Sequence, residues 1–245
     1  MSHSILTLPS SLSRVIGLAL LITTAAGLSA CGHVTIKDTD LSFQSVCSPT
    51  PHVSDVKGSV WMKARSKEAT GQFPALVHAV DQGRLELQIT NLLGASEAVV
   101  KVDEKTFTIE SHNPKISSQK GSGVWAGIPL KWATVLFLGQ MPCPDAAAQK
   151  SMMLSKGEKE GELRVRIPAA AGQSGDEESY VYSFKSWAGQ PWVDHLFWER
   201  KGSRPLTIEI QFDDPDPAQN LPRRWEAKSS LGEVKVRWKD RELSR

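Results

Sequence analysis

Alternation of apolar and polar residues at every second position is the feature that most constrains the fold of this chain. In the clearest run, Leu85, Leu87 and Ile89 alternate with Glu86 and Gln88. Because successive side chains of a strand point to opposite faces, this pattern predicts a strand with one buried face. We therefore expect a mainly β fold with a few helices and about ten or eleven antiparallel strands. Further alternating runs lie at 60–64, 99–102, 107–109, 163–167, 180–184, 206–212 and 234–238, with weaker ones at 73–80 and 193–198.

One segment departs from the alternation and predicts a short helix. Residues 128–138 are mostly apolar, Pro129 lies where the first turn would begin, and Gly139 follows the last apolar residue. Proline near the start and glycine just after the end are typical of short helices. Since apolar side chains cover almost the whole circumference, we expect this helix to be buried or to pack across an apolar hollow.

The N-terminal segment has the features of an export signal. An apolar run from Val15 to Ala26 is shorter than the roughly 20 residues that a spanning helix needs. Small residues then lead to Cys31, which resembles the lipobox of bacterial lipoproteins, where the cysteine thiol receives a diacylglycerol. An ordinary signal with a coincidental cysteine is the alternative. The resemblance implies a cleaved signal peptide in residues 1–30 and a lipidated N-terminus. The polar segment that follows holds Pro49 and Pro51 and predicts a tether within 31–57, and the remaining length suits one domain in 58–245.

Charge and cysteine content narrow the possible functions. The net charge is +2, with acidic and basic residues nearly balanced, which gives no support for nucleic-acid binding. Apart from Cys31, the cysteines are Cys47 and Cys143, an even pair in a chain expected to enter an oxidising compartment. A disulfide between them requires their Cα atoms to come within reach, which the sequence leaves open.

No spacing in the sequence indicates a catalytic or metal site. The serines lack a nucleophile elbow and the phosphate-binding glycine patterns are absent, while His195 lies in an alternating run. The aspartates of segment 213–216 lack the spacing of a calcium loop. We therefore predict that the protein is not an enzyme and uses no cofactor or metal. A hydrolase that uses His195 is the weakest alternative.

An apolar loop stands out instead, at Asn91-Leu92-Leu93-Gly94 between two predicted strands. Two adjacent leucines at a hairpin tip cannot both fold back easily into a core. Spacing alone leaves two alternatives open: a wedge that meets a lipid tail or bilayer, or a loop that packs beneath the helix.

A family resemblance is centred on this hairpin. Residues 87–97, Leu-Gln-Ile-Thr-Asn-Leu-Leu-Gly-Ala-Ser-Glu, resemble the strand-loop-strand segment of LolB, an outer-membrane lipoprotein family that receives lipoproteins from a periplasmic carrier. Further similarity lies in Gly58, in residues 128–139 and in the closing segment 222–236, and together these cover most of 58–240. Leu92 stands where that family usually has proline, which makes the tip more apolar and less rigid.

The resemblance implies a fold and a function. The fold would be an incomplete antiparallel β-barrel with an apolar cavity and a helical lid, and Leu93 would match the projecting leucine of the family. The protein would be anchored at Cys31, face the periplasm, accept acylated lipoproteins from a LolA-like carrier and insert them into the lipids of the outer membrane. Leu92 and Leu93 would form the protruding loop. Candidate cavity residues are Leu85, Leu87, Ile89, Val165, Ile208 and Ile210.

A second hypothesis comes from a different class of protein. The β domain could serve as a scaffold lipoprotein of the cell envelope that holds other proteins and binds no lipid. Detection of a co-purifying lipid would discriminate between the carrier and the scaffold.

Overall fold

The computed structural model describes residues 42–48, 52–67, 70–114, 117–169 and 176–244. All of them belong to one unit of the chain, Ile36–Arg245. The predicted signal peptide and Cys31 lie outside the described residues.

Fifteen strands make up most of the described chain, and thirteen of them form one antiparallel sheet. Their bounds are β1 (Asp55–Ser66), β2 (Thr70–Val80), β3 (Arg84–Thr90), β4 (Ser96–Val102), β5 (Thr106–Ser111), β6 (Gln119–Ser122), β7 (Val124–Trp125), β8 (Ile128–Pro129), β9 (Met153–Lys156), β10 (Glu162–Ile167), β11 (Glu177–Trp187), β12 (Gln190–Lys201), β13 (Leu206–Pro215), β14 (Pro222–Ser229) and β15 (Gly232–Ser244). β7 and β8 pair separately as a two-stranded sheet.

The large sheet is open, and its first and last strands in the sequence lie side by side in its middle. Its order is β6-β5-β4-β3-β2-β1-β15-β14-β13-β12-β11-β10-β9, with β6 and β9 at the two edges. β1 pairs with β15 from Asp55 opposite Ser244 to Ser66 opposite Gly232. The first and last strands therefore join two runs of sequential hairpins, and the open sheet is consistent with an incomplete barrel.

The sheet has more strands than the sequence predicted, because its edge strands do not alternate. All four residues of β9 are exposed, and β6 has no buried residue. A strand that buries neither face leaves no period-two pattern in the sequence. The alternation predicted ten of the eleven strands of this sheet that have a buried residue, and it missed β14, which buries Pro222, Trp225 and Ala227.

One face of the sheet carries the core. Leu87 lies opposite Val77 of β2 and opposite Val100 of β4, and all three are buried. The same register continues across the sheet, so the buried positions of neighbouring strands share a face. We call this face the inner face.

Three short helices accompany the sheet: α1 (Phe43–Cys47), α2 (Leu130–Phe137) and α3 (Ala146–Gln149). α2 is the helix that the sequence predicted, and Gly139 follows it with φ of +77°. It packs on the inner face, where the Trp132 ring contacts the Trp198 ring edge-on with centroids 4.8 Å apart. The Phe137 ring contacts Trp225 in the same way, with centroids 5.4 Å apart. Such aromatic contacts add about 0.5–1.5 kcal/mol each beyond burial, so α2 is firmly seated. Among the described helices, none is long and apolar enough to cross a bilayer.

Helix α1 is held by a disulfide and by its own apolar side chains. Cys47 and Cys143 are bonded, with Cα atoms 5.8 Å apart. Phe43 and Val46 are buried in the core. A five-residue helix is not stable alone, so these contacts are what keep it in place. Part of the segment assigned to the tether therefore packs onto the domain, which begins upstream of residue 58.

Candidate functional site

An apolar cleft of about 460 Å³ opens on the inner face at the β1–β6 side of the sheet. Its volume falls within the range of small-molecule pockets, about 300–1,000 Å³. The apolar part of its wall combines side chains from β1, β2, β3, β4, β5 and β7: Met62, Phe73, Ile89, Val100, Ile109 and Trp125.

The polar residues of the cleft come from strand beginnings and one loop. They are Thr70, Gln72, Glu97, Ser117 and Gln119. An apolar wall that combines with a few polar groups is typical of a site for a molecule with an apolar body and a polar head.

The β3–β4 hairpin loop projects its two leucines into solvent. Leu92 is 82% exposed and Leu93 is 94% exposed. Keeping either side chain in water forgoes roughly 1.5–3 kcal/mol that burial would provide. The structure thus places both leucines outside the core, and the alternative in which the loop packs beneath the helix does not describe it.

Asn91 holds the loop in this conformation. Its Oδ1 accepts hydrogen bonds from the backbone N–H of Leu93 at 2.9 Å and of Ala95 at 3.0 Å. Its own N–H donates to the Ala95 carbonyl at 2.9 Å. Gly94 completes the turn with φ of +85°, a conformation that favours glycine. The leucines are therefore displayed by a turn with its own hydrogen bonds rather than by an unsupported loop.

The loop and the cleft adjoin each other. Ile89 lies just before the loop on β3 and Glu97 just after it on β4, and both line the cleft. A molecule that leaves the cleft past this hairpin would meet the two leucines next.

The predicted cavity residues divide into two groups. Ile89 lies in the wall of the cleft, whereas the other five are buried in the core of the same inner face. Side chains that accompany α2 fill much of that face, because Trp132 packs against both Tyr180 and Trp198. The five core residues are Leu85, Leu87, Val165, Ile208 and Ile210.

Most of the cleft residues were not among the predicted lining residues. Met62, Phe73, Val100 and Ile109 are ordinary alternating strand residues in the sequence. Their only signal was an apolar side chain on the correct face, which they share with the whole core. Asn91 carried a better signal, because asparagine commonly organises a turn through its side chain.

The histidine and aspartates that the sequence offered as chemical groups lie outside the cleft and have other partners. His195 is hydrogen-bonded to Glu209, as His78 is to Asp55, each at 2.9 Å. Asp213 pairs with Arg224 at 3.2 Å. Within the described ranges, no group of three or more metal-ligating side chains is assembled.

Asp216 is held by a similar set of contacts. It accepts hydrogen bonds from the Ala218 N–H at 2.9 Å and from Arg223 Nε at 3.0 Å. Burial raises the pKa of this carboxyl, but the hydrogen bonds and the charge of Arg223 outweigh burial and lower the pKa. Its role in the described chain is to anchor the β13–β14 connection.

Comparison with known proteins gives one kind of match. No protein-family model matches the chain, and no curated protein matches it in sequence. Among solved structures, the chain is similar to the crystal structure of a LolA superfamily protein from Nitrosomonas europaea, with a TM-score of 0.44 and 10% sequence identity. That match covers 80% of this chain and 88% of the other.

The geometry itself defines a class: a mainly β domain whose open antiparallel sheet carries an apolar cleft beside an exposed leucine hairpin.

Proposed function

We propose that this protein is a lipid-anchored receptor that holds the acyl chains of lipoproteins in its inner-face cleft and delivers them to the outer membrane. The observation that carries the proposal is the cleft of about 460 Å³ next to a hairpin that displays Leu92 and Leu93. The cargo would be acylated lipoproteins brought by a periplasmic LolA-like carrier, and the anchor would be the lipid on Cys31.

Binding in the cleft needs no reaction. Each methylene removed from water contributes about 0.8 kcal/mol, so partial burial of an acyl chain already gives useful affinity. Transfer then requires only that each successive site bind more tightly than the last, with the bilayer as the final one. The polar residues Gln72, Glu97 and Gln119 would face the cargo's polar part.

The exposed leucines supply the delivery step. Transfer of an exposed leucine from water into a bilayer lowers the free energy, and transfer of two adjacent leucines lowers it about twice as much. The Asn91 turn keeps both in position, so the hairpin enters the interface without first unfolding. Release beside inserted leucines places the acyl chain directly against lipid.

A fluorescent fatty-acid probe tests binding in the cleft. Ile89→Lys places a charge in the cleft wall, and because Ile89 is only half-buried we expect the variant to fold, which circular dichroism checks. We expect the probe to bind the native protein and to be lost from this variant. Ile167→Lys is the matched control, because Ile167 is half-buried on β10 away from the cleft.

The outcome separates the two hypotheses for this protein. Equal probe binding by both variants and the native chain would show that the cleft is not the site. If native mass spectrometry of the purified protein finds no lipid and the probe does not bind, the scaffold hypothesis is supported instead.

A further inference from the structure

A third exposed leucine lies at the tip of the β14–β15 hairpin. Leu231 is 53% exposed and belongs to the two-residue turn between Ser229 and Gly232, which lie opposite each other. The Leu231 N–H donates to Ser229 Oγ at 3.1 Å, and that hydroxyl donates to the Gly127 carbonyl at 2.8 Å. These hydrogen bonds fix the turn to the rest of the domain, and Leu231 is therefore exposed on an ordered turn.

Basic side chains surround this leucine. Arg65, Lys67 and Lys228 line a shallow pocket of about 440 Å³ together with Leu231 and Glu233. Lys228 is paired with Glu226 at 2.5 Å, and Glu233 with Lys235 at 3.2 Å.

Arg65 and Lys67 are the available cations of this pocket. Both are exposed, and neither forms an ion pair with another residue in the part of the chain that the structure describes. Two cations beside an exposed leucine can satisfy anionic headgroups while the leucine enters the interface.

The register places Leu231 at the same end of the sheet as Leu92 and Leu93. β1 runs toward Ser66, which lies opposite Gly232, and β3 runs in the same direction toward its leucine loop. The two hairpins are separated by the spacings β3–β2, β2–β1 and β1–β15, which amount to about 15 Å. We call this end the leucine end.

The opposite end of the sheet is acidic. Its hairpin connections, at 81–83, 103–105, 157–161, 188–189 and 216–221, contain six acidic and two basic residues: Asp81, Asp103, Glu104, Glu158, Glu160 and Asp216, with Lys105 and Lys159.

The connections at the leucine end have a different balance. The described residues of these connections contain two basic and one acidic residue: Lys67 and Arg204, with Asp176. An anionic surface therefore repels one end of the molecule and not the other.

We propose that the Leu231 hairpin, with Arg65 and Lys67, is a second membrane contact that binds anionic phospholipid headgroups and sets the leucine end against the bilayer. This inference rests on the proposed function, since it gives the delivery step its orientation. Two contacts about 15 Å apart hold the cleft toward the membrane, whereas one loop would leave the domain free to rotate about it. The occupant is a bilayer containing anionic lipid.

A depth-sensitive fluorophore tests the contact directly. The full chain carries a thiol-linked label at Leu231→Cys and is reconstituted in vesicles of phosphatidylethanolamine with or without phosphatidylglycerol. We expect a blue shift and quenching by brominated lipids in the phosphatidylglycerol vesicles. Leu76→Cys is the matched control, because Leu76 is 50% exposed on β2 but lies away from the leucine end, and its label should stay in water.

Charge removal tests the role of the cations. Arg65→Gln with Lys67→Gln should abolish quenching at position 231, whereas Lys105→Gln with Lys159→Gln at the acidic end should leave it unchanged. High salt should act like the first pair, since the Debye length falls to about 3 Å at roughly 1 M.

Three outcomes would overturn the proposal. They are a label at position 231 that stays in water, quenching that survives loss of Arg65 and Lys67, and a shift induced by soluble polyglutamate without vesicles, which would assign the pocket to an acidic protein. The fatty-acid probe is measured without membranes, so its result is independent of these outcomes. Failure of the second contact is thereby distinguished from failure of the carrier function.

Discussion

Individual side chains of the β3–β4 hairpin have different roles. The carboxamide oxygen of Asn91 accepts hydrogen bonds from two backbone N–H groups and fixes the turn. Leu92 and Leu93 are exposed and do not pack in the core. Two leucines in water contribute nothing to the stability of the fold, and under the proposed function they contribute when they enter a membrane. This reasoning makes them the first residues to change.

Leu93→Glu should separate folding from delivery. The side chain is exposed, so the free energy of unfolding should change by no more than about 0.5 kcal/mol. Release of acylated cargo into vesicles should be lost, because a carboxylate does not enter the interface. Leu76→Glu, an exposed leucine on the outer face of β2, should transfer cargo normally. Normal transfer by the Leu93 variant would remove this leucine from the delivery step.

Buried tyrosines predict a loss of stability in alkali. The chain has two tyrosines, Tyr180 and Tyr182, and both are buried. Burial raises the pKa of each hydroxyl well above its ordinary value. Because the pKa is raised only in the folded state, each tyrosine makes its full contribution to stability below the unfolded tyrosine pKa of about 10. This contribution to stability is lost as the pH rises further.

Tyr182→Phe should show this effect in denaturant titrations across the alkaline range. The Tyr182 hydroxyl donates to the Pro142 carbonyl at 2.9 Å, so its removal should cost about 1 kcal/mol at neutral pH. Above about pH 10 the variant should lose stability less steeply than the native protein, with Tyr180 accounting for the remaining slope. An identical slope in both proteins would contradict the assignment.

At the scale of elements, α2 and α1 are held on the domain in different ways. α2 fills part of it with aromatic side chains, and the cleft remains at the β1–β6 side. α1 is too short to hold its position alone and depends on Phe43, Val46 and the disulfide of Cys47. The position of each helix thus depends on tertiary contacts, although a local pattern predicted the existence of α2.

Reduction of the disulfide should weaken the domain measurably. The bond closes a segment with a sequence separation of 96 residues, and a crosslink of this kind contributes about 2–4 kcal/mol. Denaturant unfolding with and without reductant measures the difference. The Cys47→Ser, Cys143→Ser double variant should already have the lower stability and should not respond to reductant. A native protein that is equally insensitive would show that the crosslink adds nothing.

At the scale of the whole molecule, the pairing of β1 with β15 joins the two halves of the sheet. The first and last strands meet there, so this pairing joins residues that are far apart in the sequence and cannot form until most of the domain has been placed. Gly58 lies at a close approach, because a Cβ atom at this position would run into the backbone carbonyl of Asp240. The pairing of β1 with β15 therefore leaves no room for a side chain at position 58.

Gly58→Ala should destabilise the protein by about 1–3 kcal/mol, because β15 must shift to admit the added methyl group. Denaturant unfolding gives the magnitude, and the cleft probe should still bind to the folded fraction. Lys57→Ala on the same strand is the control, since Lys57 is exposed and its loss should be nearly neutral. If Gly58→Ala leaves the free energy of unfolding unchanged, the close contact between position 58 and the Asp240 carbonyl does not limit this position.

The sequence by itself determined most of the elements. Period two predicted ten strands of the large sheet and the continuous apolar run predicted α2, whereas the spacing of Asn91 to Gly94 predicted a turn but left the exposure of its leucines open. These features follow from local stereochemistry, since the direction of each side chain is set by its own strand or helix. The sequence also named Cys47 and Cys143 as a pair, but their distance depended on the fold.

Only the tertiary structure decided which inner-face residues border open space. Ile89 and Leu87 are two positions apart on one strand and look equivalent in the sequence, yet one lines the cleft and the other is buried. The difference arises from the register of six strands and from the position of α2, and both are set by contacts between residues distant in the chain. The separation of an acidic end from a leucine end has the same origin, because it exists only once alternate turns are gathered at opposite ends of one sheet.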